Sequence, residues 1–200
     1  MKNESIDKWV SLLSEVEILR SSIAQDEPAF TINSEDDDII ACEARLGIKF
    51  SEDYKAFCKT FGQGRFGAGW IFVYAPNKNT MDNQIADQGD VFYAFEGYLH
   101  YGGNAKFVST LNESYFFGAL QGVIFIFGKD TLKEEGLHSR IYAIDEEGEI
   151  YDFGKDLFDF VKNCCLDKGI ERRFPGLLVH MVPIDRTIDQ LVAPTFTPLK

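Results

Sequence analysis

The chain has 200 residues, of which 45% are hydrophobic and 14% aromatic, including 18 Phe and 8 Tyr. That content excludes intrinsic disorder, and the length suits one domain or one domain with an extension. A formal net charge of −12 repels phosphate backbones, which argues against direct nucleic-acid binding and suits either solubility or a basic partner. In chain order, Ile6, Trp9, Val10, Leu13, Val16 and Ile23 fall on one face at helical spacing, which predicts an amphipathic helix over residues 5–23. Pro28 closes it, so residues 25–33 read as a connection. Ser34 reads as the N-cap of a second helix, with Glu35, Asp36, Asp37 and Asp38 in its first turn, where carboxylates suit the exposed amides and the helix dipole. A calcium loop would need the EF-hand ligand spacing and its central glycine, and that pattern is absent. This helix should bury Ile39, Ile40, Cys42 and Leu46 and stop at Gly47 in the left-handed conformation.

Ser51 is the next N-cap, followed by Tyr54, Phe57, Cys58 and Phe61 on one helical face. Gly62-Gln63-Gly64-Arg65-Phe66-Gly67 formally matches G-x-G-x-x-G. A dinucleotide site needs that motif after a strand and before a helix. Here it follows a helix and precedes the strand Trp70–Tyr74, so it reads as a tight turn needing positive φ. Residues 80–89 are polar and suit a short helix, and the aromatic-rich stretch Val91–Tyr101 reads as a strand bent at Glu96-Gly97. Lys106–Ser109 and Tyr115–Phe117 are weaker strand candidates. Val123–Phe127 is continuously apolar and predicts a central strand covered on both faces. Arg140–Ile144 and Glu149–Phe153 alternate on either side of Asp145-Glu146-Glu147-Gly148, which predicts an antiparallel hairpin. Lys155 or Asp156 opens a helix carrying Leu157, Phe158, Phe160, Val161 and Cys164.

Beyond Gly169 four prolines, Pro175, Pro183, Pro194 and Pro198, preclude one long helix. Leu177-Leu178-Val179 suits a last strand or a cover piece, Ile184–Val192 a short helix, and Pro194–Lys200 should be mobile unless docked. Cys42, Cys58, Cys164 and Cys165 make no Cys-x-x-Cys pair, and His100, His138 and His180 are scattered, so no zinc site is expected. Four reduced thiols and no signal-peptide pattern imply a cytoplasmic chain. No segment approaches the roughly 18 consecutive apolar residues a membrane helix needs.

The order of elements resembles the SUKH superfamily, whose bacterial members are immunity proteins against polymorphic toxins and whose fungal branch regulates cell-wall assembly. The resemblance rests on the acidic helix start, Glu43-x-x-Leu46-Gly47, Phe50-Ser51-x-x-Tyr54-x-x-Phe57 and the Gly-rich turn at Gly62–Gly69. The later half agrees in outline: Val123–Phe127 with Gly128-Lys129-Asp130, the hairpin through Asp145–Gly148, then Leu157-Phe158-Asp159-Phe160-Val161. Family members often carry Leu-Pro in place of Phe50-Ser51 and Asn-Gly-Gly near Phe61-Gly62-Gln63-Gly64. The resemblance spans about residues 36–165 and implies an α+β fold, a mixed, mainly antiparallel sheet carrying helices, without a shared catalytic centre. On that footing residues 1–169 form a single SUKH-like domain that includes the N-terminal helix, and residues 170–200 form a C-terminal extension.

The resemblance together with the acidic charge implies a non-enzymatic protein binding a cognate toxin domain, a nuclease or another basic enzyme, with no cofactor, metal or membrane. Aromatics beside acids are the expected anchors: Trp70, Tyr74, Glu96, Tyr98, His100 and Tyr101, with the hairpin tip Asp145, Glu146 and Glu147. For the aromatics the competing reading is a core position, and for the tip a solvated turn. A regulatory or scaffold domain of the same fold is the alternative. An enzyme would need Asp130, Asp145 or Glu147 brought against His100 or His138.

Overall fold

A computed structural model describes residues 4–19, 33–67, 71–78, 81–129, 137–183 and 185–198. The antiparallel centre of its sheet is β5 (Tyr115–Leu120), β6 (Val123–Lys129) and β7 (Leu137–Asp145). Alternation along β6 sends Val123, Phe125 and Phe127 into one core and Ile124 and Ile126 into another, which is why this strand is apolar throughout. The other strands are β1 (Glu17–Ile18), β2 (Lys49–Phe50), β3 (Gly64–Phe66), β4 (Ile71–Val73), β8 (Ile150–Gly154) and β9 (Thr195–Pro198). Their order is β1-β9-β3-β4-β5-β6-β7-β2, with β8 also paired to β7. Only the β1–β9 and β2–β7 pairs are parallel among the described residues, so the fold is α+β with a mixed, mostly antiparallel sheet.

The larger core lies between one sheet face and α1 (Glu4–Glu15), α2 (Asp36–Leu46), α3 (Glu52–Thr60) and α6 (Leu157–Phe160). α3 forms as the pattern predicts. Ser51 accepts the Tyr54 amide at 3.2 Å, and Tyr54, Phe57, Cys58 and Phe61 are all buried. α1 is shorter than its periodicity predicts. It buries Trp9 and Leu12 rather than Val10, Val16 is buried just beyond its end, and the chain goes on to pair β1 with β9. Ile23 and the 25–33 connection fall on or run into residues outside those described. Trp9 sits edge-on to Phe57 and Phe158, with ring centroids 5.2 and 5.0 Å away, which locks α1 onto α3 and α6.

The start of α2 is also a correction. Glu35, not Ser34, is the N-cap, in a reciprocal capping box with Asp38. Ser34 is buried and its hydroxyl donates to the Pro76 carbonyl at 2.5 Å. Ser34 thus ties the helix entry to a buried carbonyl, and the Glu35 carboxylate supplies the capping acceptor instead. The end of α2 is as predicted, with Gly47 at φ 66°. Ile40 is exposed, not buried. Glu43 is nearly buried and accepts the Phe50 amide at 2.8 Å, with Lys55 at 3.2 Å and Lys49 at 3.4 Å. Burial pushes its carboxyl up, but the amide and the two ammonium groups outweigh that and leave it below its ordinary range. Glu43 thereby stitches α2 to β2 and α3.

The C-terminal residues complete the sheet. After α6 the helix widens into a π-segment, Val161–Cys165, followed by α7 (Gly169–Arg173), α8 (Leu178–Met181) and α9 (Ile188–Leu191). Leu177-Leu178-Val179 therefore opens a helix rather than forming a strand, with Leu177, its N-cap, buried and Val179 exposed. β9 is inserted between β1 and β3, so this segment is docked. Phe196 is fully buried against Phe61 and Phe66. Gly64 leaves the space it occupies, since a Cβ there would stand 2.2 Å from its ring.

Candidate protein-interaction site

The second core, on the opposite sheet face, is built by α4 (Met81–Tyr101) and α5 (Val108–Asn112) over β5, β6 and β7. The predicted strand at Val91–Tyr101 is therefore corrected: residues 81–101 are one 21-residue helix. Val91, Phe92, Phe95, Tyr98 and Leu99 lie at i, i+1, i+4, i+7 and i+8 and face the sheet, and this periodicity outweighs the strand preference of the aromatics. Lys106–Ser109 is helical too, across a 3-10 turn at Ala105–Phe107 and the start of α5. At mid-helix the Gln88 side chain accepts the Phe116 amide at 3.0 Å.

The opposite side of α4 faces solvent. Asp90, Tyr93, Gly97, His100 and Tyr101 are exposed along it, with Tyr93 83% and Tyr101 86% accessible. The helix carries Asp82, Asp87, Asp90 and Glu96 and no Lys or Arg. His100 and Glu96 lie one turn apart, 3.8 Å between Nε2 and Oε1. Gly102 and Gly103 end the helix, and Asn104 then donates from Nδ2 to the Gly148 carbonyl at 2.8 Å. The helix end is thereby pinned to the β7–β8 hairpin. Two glycines permit the approach. A Cβ at Gly102 would stand 2.3 Å from the Glu147 carbonyl, and one at Gly148 2.0 Å from the Tyr98 carbonyl.

This contact sets the end of the helix that carries Glu96, Tyr98, His100 and Tyr101 against the turn that carries Glu146 and Glu147. Glu146 and Glu147 are exposed, and the Glu146 side chain lies over Gly122 in the β5–β6 turn. Tyr98 is half-buried, its ring edge-on to Phe95 at 5.1 Å. Asp145 does not join them as an exposed acid. It is fully buried, accepting the Glu147 and Glu149 amides at 2.9 and 3.0 Å on Oδ1 and the Tyr151 hydroxyl at 3.0 Å on Oδ2. Its role is to close the hairpin turn. Tyr74 lies apart, half-buried on the sheet, with ring centroids 4.3 Å from Phe72 and 5.0 Å from Phe116. Trp70 falls outside the described residues. Tyr93 is the exposed aromatic that the strand reading misses; a helical wheel places it with Gly97 and His100.

Among the described residues neither His100, which pairs with Glu96, nor His138 is paired with Asp145 or Glu147. His138, at the far end of β7 from Asp145, is buried with Nε2 2.7 Å from the Glu113 carbonyl. Asp130 falls outside the described residues. Burial pushes the Cys42 thiol up to about 12 and that of Cys164 to about 11, so neither is a thiolate near neutrality. Among the described residues no three His, Cys, Asp or Glu side chains are grouped to hold a metal ion. No described helix is long and apolar enough to cross a membrane.

Residues 11–98 match the family model SUKH_5, described as SMI1-KNR4 cell-wall. Over that segment, a little under half of its length, the chain is similar to the SUKH superfamily. The matched segment begins inside α1 and ends within the last turn of α4, so it contains the Glu43–Phe50 stitch and most of the helix that presents the acidic and aromatic face. No curated protein matches the sequence. Domains of the SUKH family are immunity or regulatory domains that work by protein–protein interaction and are generally without catalysis, and the match supports that description at family level.

Proposed function

We propose that this chain is a SUKH protein and a cytoplasmic, non-enzymatic immunity protein that neutralises a toxin by binding a basic domain of it, such as a nuclease. The observation that supports this most is the junction of α4 with the hairpin tip, where the helix end bearing Glu96, His100 and Tyr101 meets the turn bearing Glu146 and Glu147. Acidic groups speed encounter with a basic partner and oppose wrong ones, while exposed aromatics supply the buried anchors of an interface. Tyr93 extends the same surface along α4. An inhibitory interface of ordinary size buries roughly 800 Å² on each side, more than the tip alone offers, so α4 belongs to it.

The test uses the product of the neighbouring toxin gene, co-expressed with the chain. The wild-type chain should rescue growth and co-purify with that product. Tyr101→Ala and the pair Glu146→Lys, Glu147→Lys should each weaken binding by roughly tenfold or more, with the charge reversals acting strongly on the association rate. Unchanged affinity in both would remove this surface from the interface. The matched model's cell-wall description favours a second reading, a regulatory domain with no toxin partner. Failure of the neighbouring gene to encode a toxic product, with retained capture of another protein through the same residues, would select it.

A further inference from the structure

Among the described residues the core under α4 and α5 is built mainly on β5, β6 and β7, with Tyr74 and Ile150 at its margins. On β3 and β4 that face continues outward as a row, Arg65 opposite Phe72 and Phe72 opposite Ala119. Arg65 is exposed, and its guanidinium stands 5.7 Å from the Phe72 ring centre. These residues, with Tyr74, form one wall of an open groove of about 790 Å³. The segment between α8 and α9 forms the other, with Asp185 and Arg186. The volume lies within the usual range for a ligand site, roughly 300–1,000 Å³.

Charge selects the occupant. In a chain of net charge −12 the groove's charged lining is two arginines and one aspartate. Neither guanidinium is engaged by a carboxylate among the described residues. Arginine presents a planar fork matched to carboxylates, and the Phe72 ring holds one such fork over an apolar floor. We propose that this groove is a second docking site, separate from the α4–hairpin surface, for an acidic peptide segment that lays carboxylates against Arg65 and Arg186 and an apolar side chain on Phe72. The two surfaces then take partners of opposite charge.

The probe is a fluorescein-labelled octapeptide of alternating Glu and Leu, titrated against the full chain and followed by anisotropy and by amide shifts in NMR spectra. In an extended peptide this alternation puts carboxylates on one side and leucines on the other. Saturable binding is expected, with shifts at Arg65, Phe72 and Ala119, weakening as salt is raised. The pair Arg65→Ala, Arg186→Ala should lose roughly tenfold in affinity, and a Gln–Leu peptide should bind about as weakly to the wild-type chain. A thermal melt of the double variant checks that the loss is not unfolding. Equal binding of the Glu and Gln peptides, shifts confined to α4, or no saturation would overturn the proposal. So would full displacement of the probe by an equal concentration of glutarate, which would mean a small dicarboxylate site. Because the α4 surface is untouched by these substitutions, toxin rescue by the double variant reports on the earlier reading independently.

Discussion

Asp145 separates two roles that look alike in a string of letters. Asp145-Glu146-Glu147-Gly148 reads as a run of acids at a hairpin tip, yet its first member is fully buried and the next two are exposed. The signal that distinguishes them was present: an aspartate two residues before an amide it accepts, with glycine at the turn's end, is the pattern of a side-chain-closed turn. Gly148 takes φ 77°, as that turn requires. The fourth contact of Asp145 was not legible, because His180 approaches Oδ2 at 3.5 Å from α8, 35 residues along the chain. Replacing Asp145 with Ala strands two amides and a tyrosine hydroxyl inside the protein. Asp145→Ala should therefore lower the unfolding free energy by about 2–4 kcal/mol, and Tyr151→Phe by about 1 kcal/mol, read as shifts of the urea midpoint at constant slope. An Asp145→Ala midpoint equal to wild type would make the acid dispensable to the turn.

At the scale of elements, hydrophobic pattern succeeded where the period was clean or the run was apolar throughout. α3, its Ser51 cap, the Gly47 stop, the β7–β8 hairpin and the doubly covered β6 all follow from periodicity and turn chemistry. It failed at α4, where Tyr93 and Tyr101 stand exposed among buried Phe92, Phe95 and Leu99 and blur the period. Exposed aromatics are what an interaction helix would carry, so the misreading and the proposed interface share a cause. Gly97 adds a measurable consequence. It lies inside α4 on the exposed side, and a Cβ there would meet nothing within 4 Å. Gly97→Ala should stabilise the free chain by about 0.5–1 kcal/mol through lower backbone entropy in the unfolded state. If a partner's backbone approaches α4 there, the same change should weaken binding while raising the melting temperature. Higher stability with unchanged toxin affinity would move the contact away from Gly97, toward Tyr101 and the tip.

At the scale of the whole molecule, what the sequence hid was contact between distant segments. Nothing in residues 17–18 announces a strand; they become one because β9, 178 residues later, offers an edge, with Glu17 opposite Thr195 and Ile18 opposite Phe196. A two-residue strand has no independent stability, so β1 exists only while the tail is docked. The tail in turn is held by Phe196 in the cavity that Gly64 leaves, between Phe61 and Phe66. Phe61 closes α3 and its ring lies 6.2 Å from Trp9, so the chain's last strand and its first helix share one aromatic cluster. Removing residues 194–200 should consequently lower the stability of the entire fold rather than free an appendage. Phe196→Ala isolates the packing part of that effect and should cost about 3–5 kcal/mol. In urea, tryptophan fluorescence and far-UV circular dichroism should fall together at a lower midpoint in both variants, since a shared core unfolds cooperatively. Separate transitions, or a truncated chain with the wild-type midpoint, would mean that the sheet from β3 to β7 stands without its C-terminal strand.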